Sequence, residues 1–297
     1  MYFCNTMLKS MTGFGRAEQT IGEKTYLVEI KSLNGKQLEV QLRLAPLLKP
    51  YEFEIRSLIQ EQLLRGSIEC NISIKQNGTF RPVNINTDLI RTYYRQLSDL
   101  AAELQIDTNA VLSSLLRLPE VVTPATDMLD GQEYLQFSKV LQTALDELNR
   151  HRREEGAVMQ QDLLQRVNNI HAQEEEILRL EPRRIARIRE EIGQLLQKYV
   201  GAENYDANRL EQELIYYMEK IDIHEEQVRL RQHCAYFKEL LSNNDESKGK
   251  KLSFIIQEMG REINTTGSKA YDADIQKSVV AMKDELEKAK ELVLNVL

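Results

Sequence analysis

Residues 1–80 alternate between apolar and polar positions in several short runs. The runs at 26–31, 38–44 and 68–74 have the two-residue period of half-buried β-strands. Between the second and third of them, apolar residues at 50–64 recur at the spacing of a helix. These elements predict an α+β domain at 1–86 with a mostly antiparallel sheet.

Asn34-Gly35 lies between two of these runs. The Asn-Gly dipeptide is favoured in two-residue hairpin turns, because both residues tolerate a positive φ. The sequence therefore predicts that the two flanking strands pair with each other.

From residue 87 onward the pattern is helical. Thr87 or Asp88 is expected to cap the first helix of this part. A long polar stretch at 132–200 carries only a thin apolar stripe and contains Pro182, where we expect an interruption. A helix this polar is typical of a solvent-exposed arm or an oligomer-forming coil, so 87–205 is predicted to be a helical linker and long arm.

The segment 206–297 is predicted to be an all-helical domain that carries the catalytic chemistry. Its apolar periodicity indicates three helices, at about 206–241, 250–264 and 271–294. Gly267 is expected to end the second helix with a positive φ, and Ser268 is expected to cap the third.

The first two of these helices each contain a pair of carboxylates four residues apart. Asp222 and Glu226 form one pair, and Glu258 and Glu262 form the other. Residues four apart lie on one face of a helix, so two such helices can form an oxygen-rich site for Mg²⁺ or Mn²⁺. His233 lies about 10 Å along the helix from Glu226 and is better placed to transfer a proton. The competing interpretation is that these charges only form a solvated helix face.

The composition is compatible with a globular protein but does not indicate a particular function. Hydrophobic residues make up 42% and charged residues 29% of the 297 residues, which is ordinary for a globular protein. The net charge of −7 gives no support for RNA binding by the whole surface, although clustered arginines can still bind phosphate. Three scattered cysteines, no secretory signal at the start and no apolar run long enough to span a bilayer predict a cytoplasmic protein without a membrane partner.

Several motifs in order along the chain resemble the YicC/YloC family of bacterial endoribonucleases. The resemblance covers nearly the whole sequence. The most specific motifs are Ser-Met-Thr-Gly-Phe-Gly-Arg at 10–16, Asn-Arg-Leu-Glu-Gln-Glu at 208–213, Lys-Ile-Asp-Ile-His-Glu-Glu at 220–226 and the segment 257–270. One departure is Gly35-Lys36, at a place where the family usually has His-Arg.

The resemblance implies metal-dependent cleavage of RNA by a ring-like homo-oligomer, expected to be a hexamer, that takes part in RNA turnover with other RNA-decay nucleases as further partners. The expected ligands of the divalent metal, Mn²⁺ or Mg²⁺, are Glu213, Asp222, Glu226, Glu258 and Glu262. The expected catalytic residues are His233, Glu226 and Asp222. The expected RNA phosphate contacts are Arg16, Arg43, Arg65, Arg209, Arg229, Arg261 and Lys269. Residues 265–269 are also expected to form a turn at a helix start whose amides bind phosphate.

Two other functions use the same sequence features. A non-catalytic RNA-binding adaptor that recruits another nuclease needs the same basic residues, and a helical scaffold needs the glutamate-rich helices only to assemble subunits. Loss of cleavage but not of RNA binding in EDTA distinguishes the enzyme from the adaptor. A scaffold has no salt-dependent affinity for RNA.

Overall fold

The computed structural model describes residues 8–76, 83–104, 111–124, 129–199, 207–243 and 248–297. The strands are β1 (Gly13–Ile21), β2 (Lys24–Leu33), β3 (Leu38–Leu44), β4 (Gly66–Gln76), β5 (Val83–Ile85) and β6 (Val122–Pro124). The helices are α1 (Glu52–Gln62), α2 (Thr87–Leu104), α3 (Val111–Leu115), α4 (Gly131–Tyr199), α5 (Ala207–Ile221), α6 (His224–Ser242), α7 (Gly249–Ala270) and α8 (Ala273–Val293). A 3₁₀ helix at Pro46–Tyr51 precedes α1. Among the described helices, none is both long and apolar enough to cross a bilayer.

The main sheet confirms the predicted α+β class but not the predicted hairpin. Its strand order is β1-β2-β4-β3, with β1–β2 and β2–β4 antiparallel and β3–β4 parallel. The prediction that Asn34-Gly35 joins two paired strands is wrong, because β4 lies between β2 and β3. The Asn34 side chain donates to the Leu294 carbonyl and the Gly35 carbonyl accepts from the Arg65 side chain, so this segment ties the sheet to the end of the chain. The tight hairpin connects β1 and β2 at Gly22, whose φ is +59°.

The long helix α4 is a core element along most of its length. Its first part buries Phe137, Leu141 and Leu148 against the sheet. Its middle part buries Leu163 and Ile170 among the side chains of α6, α7 and α8. The expectation of a solvent-exposed arm is therefore wrong for these two parts. It holds only beyond residue 184, where no described side chain of α4 is fully buried. The narrow apolar stripe is sufficient for burial in the first two parts of α4, because the helix packs only one face against the sheet and one face against the C-terminal helices.

Pro182 does not interrupt α4, contrary to the prediction. Proline removes one backbone hydrogen bond and crowds the carbonyl four residues earlier, which normally kinks or ends a helix. Two residues further on, the buried side chain of Arg184 is fixed by hydrogen bonds to the ends of α5 and α7. We attribute the continuity of the helix to these tertiary contacts.

The C-terminal helices are confirmed in kind but not in their bounds. The first predicted helix is two helices, because the chain leaves the helical conformation at Asp222 and Ile223. Gly267 lies inside α7 and does not end it. The residue with a positive φ at the end of α7 is Tyr271, at +41°.

The N-terminal caps of α2 and α8 also differ from the prediction. Asn86, and neither Thr87 nor Asp88, accepts a hydrogen bond of 3.1 Å from a backbone N–H in the first turn of α2. Asp272, and not Ser268, accepts hydrogen bonds of 2.9 and 3.1 Å from two backbone N–H groups of α8. In both cases the cap is a short polar side chain just outside the helix, as capping chemistry requires.

The family-like motif at 10–16 packs closely on α4. A Cβ atom on Gly15 would lie 2.1 Å from the Ala144 carbonyl oxygen, and one on Gly156 would lie 1.8 Å from the Leu8 carbonyl oxygen. Only glycine permits such close approaches of backbone to backbone. The two glycines in these segments are therefore explained by packing.

Two of the three cysteines are described, and both are core residues. Cys70 lies in β4 and Cys234 in α6, and both are buried free thiols. Burial raises the pKa of each thiol to about 12, so both are protonated and unreactive at neutral pH. Cys4 lies outside the described residues.

Candidate active site

Three helices, α4, α5 and α7, meet around the buried side chain of Arg184. Its guanidinium donates to the carbonyl of Ile221 at 2.8 Å and to the carbonyl of Ala270 at 2.9 Å, and it forms an ion pair with Glu181 on its own helix. The last carbonyls of a helix have no donor within that helix, so this arginine satisfies two of them and fixes where α5 and α7 end. We define the helix junction by six residues: Arg184, Ile221, Asp222, Glu226, Lys269 and Ala270.

Glu226, in the first turn of α6, is the residue of the helix junction with the least satisfied side chain. Only 6% of the residue is exposed. Its Oε1 accepts a hydrogen bond of 2.7 Å from Nζ of Lys269. Its Oε2 is buried and has no hydrogen-bond partner among the described residues. Leaving a buried acceptor without a partner costs about 1–3 kcal/mol, so this oxygen is held at a cost to stability.

Asp222 does not share a helix face with Glu226, contrary to the prediction. It lies in the break between α5 and α6, and its Oδ1 accepts a hydrogen bond of 2.9 Å from the backbone N–H of His224. This bond satisfies one of the N–H groups that have no partner within the helix at the start of α6. The Asp222 side chain is exposed and lines a groove between α4 and α5.

His233 and Glu262 lie further along the seam between α6 and α7. The two helices run antiparallel, and the contact between Glu226 and Lys269 sets their register. His233 follows Glu226 by seven residues and Glu262 precedes Lys269 by seven, so both lie about 10 Å along the axes, at the same level. Glu262 is buried and His233 is half-buried. The seam therefore carries titratable groups over at least two helical turns.

Asp272 bounds the helix junction on the side of α8. Its carboxylate pairs with Arg187 of α4 and caps α8. Burial raises the pKa of Asp272, but hydrogen bonds from the Ile275 N–H, from Arg187 and from the Asp274 N–H lower it by more. The pKa of this carboxyl group therefore lies below its usual value, and Asp272 is ionised at neutral pH.

The five predicted metal ligands do not come together in the described residues. Glu226 is paired with Lys269, Glu258 is paired with Arg261 at 2.8 Å, and Glu213 is exposed on α5. Within the described ranges, no group of three or more His, Cys, Asp or Glu side chains could hold a metal ion. A divalent cation needs several oxygen ligands at about 2.0–2.6 Å. The described residues of one chain therefore do not fit such a cation.

Three of the seven predicted phosphate contacts lie in the helix junction or on α6 and α7. Lys269 is part of the junction, and its side chain is 31% exposed. The side chains of Arg229 and Arg261 are 54% and 72% exposed, and each pairs with a glutamate of its own helix. Such exposed pairs contribute little free energy, so both guanidinium groups can exchange their glutamate for a phosphate.

The other predicted phosphate contacts lie elsewhere. Arg16 and Arg43 belong to one cross-strand row on the face of the sheet away from α4, which runs Arg16, Glu29, Asn71, Arg43. The sheet contacts α4 around Leu148, so this row lies about 50 Å along α4 from Arg184. Arg65 is half-buried and donates to the Gly35 carbonyl at 2.8 Å. The side chain of Arg209 lies outside the described residues.

The predicted phosphate-binding turn at 265–269 is wrong. These residues lie within α7, and the hydroxyls of Thr265 and Ser268 donate to carbonyls of the same helix. A phosphate-binding turn would need free backbone N–H groups, and those exist only where a helix starts. The next helix starts after Asp272.

In the C-terminal half of the chain, two buried charged residues of α4 were not among the predicted site residues, Arg184 and Glu174. Glu174 is 1% exposed, its Oε1 accepts a hydrogen bond of 2.7 Å from Arg231, and its Oε2 has no partner among the described residues. The hydrogen bond to Glu174 raises the pKa of Arg231. Both residues belong to a stretch whose charges are typical of a solvated face. The local sequence offers one signal for the role of Arg184. It lies two residues after Pro182, at a place where proline normally ends a helix, although α4 continues through it.

Comparisons with known families cover almost the whole chain. The family described as "Endoribonuclease YicC-like, N-terminal region" matches residues 8–161, and the family described as "Endoribonuclease YicC-like, C-terminal" matches residues 177–297. Proteins named "Probable endoribonuclease YicC" from Clostridioides difficile and from Haemophilus influenzae are each 31% identical to this chain, over 295 and 296 residues. Each similarity covers 98% of this chain and 100% of the relative.

Proposed function

Because the chain belongs to the YicC-like endoribonuclease family, we propose that it is an endoribonuclease whose active site lies at the helix junction. The observation that carries this location is the carboxylate of Glu226, which is buried, held on one oxygen by Lys269 and without a partner on the other. A buried acid of this kind destabilises the fold, and such groups are concentrated at functional sites.

In this proposal Glu226 acts as the general base. Its Oε2 takes a proton from the oxygen that attacks the phosphodiester, which is either a water molecule or the 2′-hydroxyl of the RNA. Lys269 holds Oε1 and thereby fixes the direction in which Oε2 points. A positioned general base contributes about 10²–10⁴-fold to the rate of such a step.

The cations around Glu226 bind the RNA backbone. Lys269 lies next to the reacting phosphate, and Arg229 and Arg261 hold phosphates on the exposed rim of the seam. Guanidinium groups match two phosphate oxygens at once, and they also stabilise the charge that develops during cleavage. His233 is the proposed proton donor to the leaving oxygen. Its offset of about 10 Å from Glu226 requires both side chains to incline towards the same phosphate.

Metal dependence and ring assembly are also part of the proposal, and both are supported by the resemblance to the family. That resemblance predicts Mn²⁺ or Mg²⁺ as cofactor, a ring-like oligomer, and a role in cytoplasmic RNA turnover together with other nucleases. The described residues of one chain do not form a ligand set for a metal. The roles above are therefore assigned to side chains only.

The second candidate function is an RNA-binding adaptor without catalysis. The row that contains Arg16 and Arg43 favours it, because it lies about 50 Å along α4 from Glu226 and can hold RNA without bringing it to that residue. Arg16 is, however, already paired with Glu18 and Glu29, so this row has little free positive charge.

The two functions are separated by measuring cleavage and binding in the same buffers. The purified full-length chain is incubated with an end-labelled structured RNA in Mn²⁺, in Mg²⁺ and in excess EDTA, beside a mock purification that lacks the chain. We expect internal cleavage with the metals and binding without cleavage in EDTA. Cleavage that persists in EDTA refutes the metal dependence but not the enzyme. Binding without cleavage in every buffer refutes the enzyme and supports the adaptor.

A further inference from the structure

The segment between the main sheet and α4 contains a helix that leaves its side chains open. Within the described residues of this segment, β5 pairs with β6 and α2 packs on α3. No described residue of α2 is buried, although the helix is 18 residues long. A helix of a globular protein normally buries an apolar stripe in a core. The corresponding face of α2 is therefore accessible to a ligand.

A pocket of about 440 Å³ lies between α2 and α3, and we call it the α2–α3 pocket. Its volume is within the range of about 300–1,000 Å³ that is usual for ligand sites. One side of the pocket is apolar: Ile90 and Tyr94 are one turn apart on α2, and Leu112 of α3 completes this side. Tyr94 is 49% exposed and stacks on no other aromatic ring among the described residues. This side can therefore take the flat face of a ligand ring.

The other side of the α2–α3 pocket is charged. Arg91, Arg95 and Asp99 follow one another at intervals of one helical turn, so they lie about 6 Å apart along α2. Arg91 approaches Asp88 only to 3.9 Å, and both side chains are at least 80% exposed. Arg95 and Asp99 form no ion pair with any described residue. Both guanidinium groups are therefore available to a phosphate, because exposed pairs contribute little free energy.

Ser98 lies between the apolar and the charged sides. It follows Tyr94 by four residues and Arg91 by seven, which places it between them around the helix axis. Its Oγ is buried and has no hydrogen-bond partner among the described residues. A hydroxyl can both donate and accept, and leaving it unsatisfied costs free energy. The α2–α3 pocket thus combines groups for stacking, for phosphate and for hydrogen bonds, which together recognise an unpaired nucleotide.

The carboxylate of Asp99 distinguishes among the four bases. An ionised carboxylate only accepts hydrogen bonds. Guanine is the one RNA base whose Watson–Crick edge carries two adjacent N–H donors, N1–H and the N2 amine. On the same edge of adenine, cytosine and uracil, donors alternate with acceptors. A carboxylate that faces this edge therefore accepts two hydrogen bonds from guanine, whereas it meets an acceptor on each of the other bases.

We propose that the α2–α3 pocket binds an unpaired guanosine nucleotide. The base stacks on Tyr94 and presents its Watson–Crick edge to Asp99, while the two arginines hold the phosphates. The nucleotide is part of the RNA substrate, and in this respect the inference rests on the proposed function. The other proposed RNA contacts are to phosphates, which carry no sequence information, so this pocket gives the nuclease a preference among sequences. A free guanine nucleotide has the same chemistry and is the other source of such a ligand.

The test measures the preference for guanine without cleavage. Labelled RNA pentamers with guanine, inosine or adenine at the centre of a uridine strand are titrated with the full-length chain in EDTA, and binding is followed by fluorescence anisotropy. Inosine keeps N1–H but lacks the N2 amine. Unlabelled guanosine monophosphate and unlabelled guanine pentamer serve as competitors.

Three variants are compared with the wild type. Asp99→Asn removes the carboxylate, and Tyr94→Leu removes the stacking ring. The matched control is Glu103→Gln, which neutralises an exposed acid of the same helix outside the pocket. Circular dichroism confirms that each variant is folded.

We expect the wild type to bind the guanine pentamer at least about five-fold more tightly than the adenine pentamer, with inosine between them. In Asp99→Asn the two affinities should lie within about two-fold of each other, and Glu103→Gln should keep the wild-type ratio. Tyr94→Leu should bind the guanine pentamer at least about five-fold more weakly than the wild type. Guanosine monophosphate should compete less well than the unlabelled pentamer.

The proposal is overturned if the wild type shows no guanine preference, if inosine binds as tightly as guanine, or if Asp99→Asn keeps the preference. Guanosine monophosphate that competes as well as the pentamer would refute the link to the RNA substrate and support a site for free nucleotides. A chain that prefers guanine but cleaves no RNA in Mn²⁺ or Mg²⁺ would refute the proposed function and still support the pocket.

Discussion

The two buried arginines of α4 lie in different surroundings in the two halves of the molecule. Arg152, in the N-terminal half, donates to the carbonyls of Met11 and Arg65 and to the Ser32 hydroxyl, and it has no carboxylate partner among the described residues. Burial lowers the pKa of Arg152 to about 10. Arg184, in the C-terminal half, pairs with a carboxylate of its own helix and joins the ends of two others.

The difference concerns which buried groups are left without partners. In the N-terminal half, the cation fixes backbone segments, its acceptors are neutral, and the group it leaves without a partner among the described residues is a donor, the Nε of Arg152 itself. In the C-terminal half, two buried carboxylates, Glu174 and Glu226, each keep one oxygen without a partner among the described residues. An unsatisfied buried acid destabilises a protein, and this half is therefore where we look for function. The motif at 10–16, on which part of the family resemblance rests, is in the half that is explained by packing.

Replacing each arginine by methionine tests this division most strongly. Arg152→Met leaves the Arg65 carbonyl without its donor, whereas the Met11 carbonyl and the Ser32 hydroxyl stay bonded to each other, so the free energy of unfolding should fall by about 1–3 kcal/mol. Arg184→Met leaves Glu181 and two carbonyls unsatisfied and should lower it by about 3–5 kcal/mol. Chemical denaturation gives that quantity. Cleavage per folded molecule should then be unchanged in Arg152→Met and fall at least about 10-fold in Arg184→Met, because only the second displaces the helix junction. Equal effects on cleavage would contradict the division.

Gly15→Ala tests the packing account of the N-terminal motif. The added Cβ would lie 2.1 Å from the Ala144 carbonyl oxygen, and neither backbone can move freely. We expect a loss of about 2–3 kcal/mol in the free energy of unfolding. The matched control is Gly193→Ala, where no atom lies within 4 Å of the new Cβ and the change should stabilise α4 by up to about 1 kcal/mol. Similar stability of the two variants would refute the packing account.

Asp272→Asn gives a smaller, pH-dependent effect. The pKa of Asp272 is lowered in the folded protein, so its ionised form contributes stability above pH 3.8, its unfolded value, and that contribution is lost as the pH falls through the folded pKa. Asparagine still caps the helix, and the variant should lose about 1 kcal/mol at pH 7. Thermal unfolding at pH 7 and at pH 3 measures the difference, which should shrink at pH 3. Asp274→Asn, which changes an exposed acid in the first turn of α8, should show less of this dependence.

The periodic parts of the fold could be predicted from the sequence. The apolar stripe of α7 at Leu252, Ile255, Ile256, Met259 and Ile263 is buried as the spacing predicts. The alternation at 26–31, 38–44 and 68–74 corresponds to β2, β3 and β4. These predictions succeeded because both periods report directly on which side chains face a core.

Features that depend on distant contacts could not be predicted. The Asn34-Gly35 turn is a local signal, yet β4 displaces β3 from β2 because the chain crosses over through α1. Gly267 stays helical because α8 packs against it. Its carbonyl accepts a hydrogen bond from the Gln276 side chain, and the Val279 side chain lies where a Cβ atom of residue 267 would be. The burial of Glu226 has no signature either, because its partner Lys269 is 43 residues away. Glu226 was nevertheless among the predicted site residues, through its spacing and the family resemblance.

The most direct test of the proposed active site compares Glu226→Gln with Glu225→Gln. Glutamine at 226 can still accept from Lys269 but cannot take a proton, whereas Glu225 is an exposed neighbour that, among the described residues, forms its ion pair with Arg229. Single-turnover cleavage of a labelled RNA should slow by at least about 100-fold in Glu226→Gln, with RNA affinity and thermal unfolding preserved. Glu225→Gln should remain within about two-fold of the wild type. If Glu226→Gln cleaves as fast as the wild type, the helix junction is not the active site.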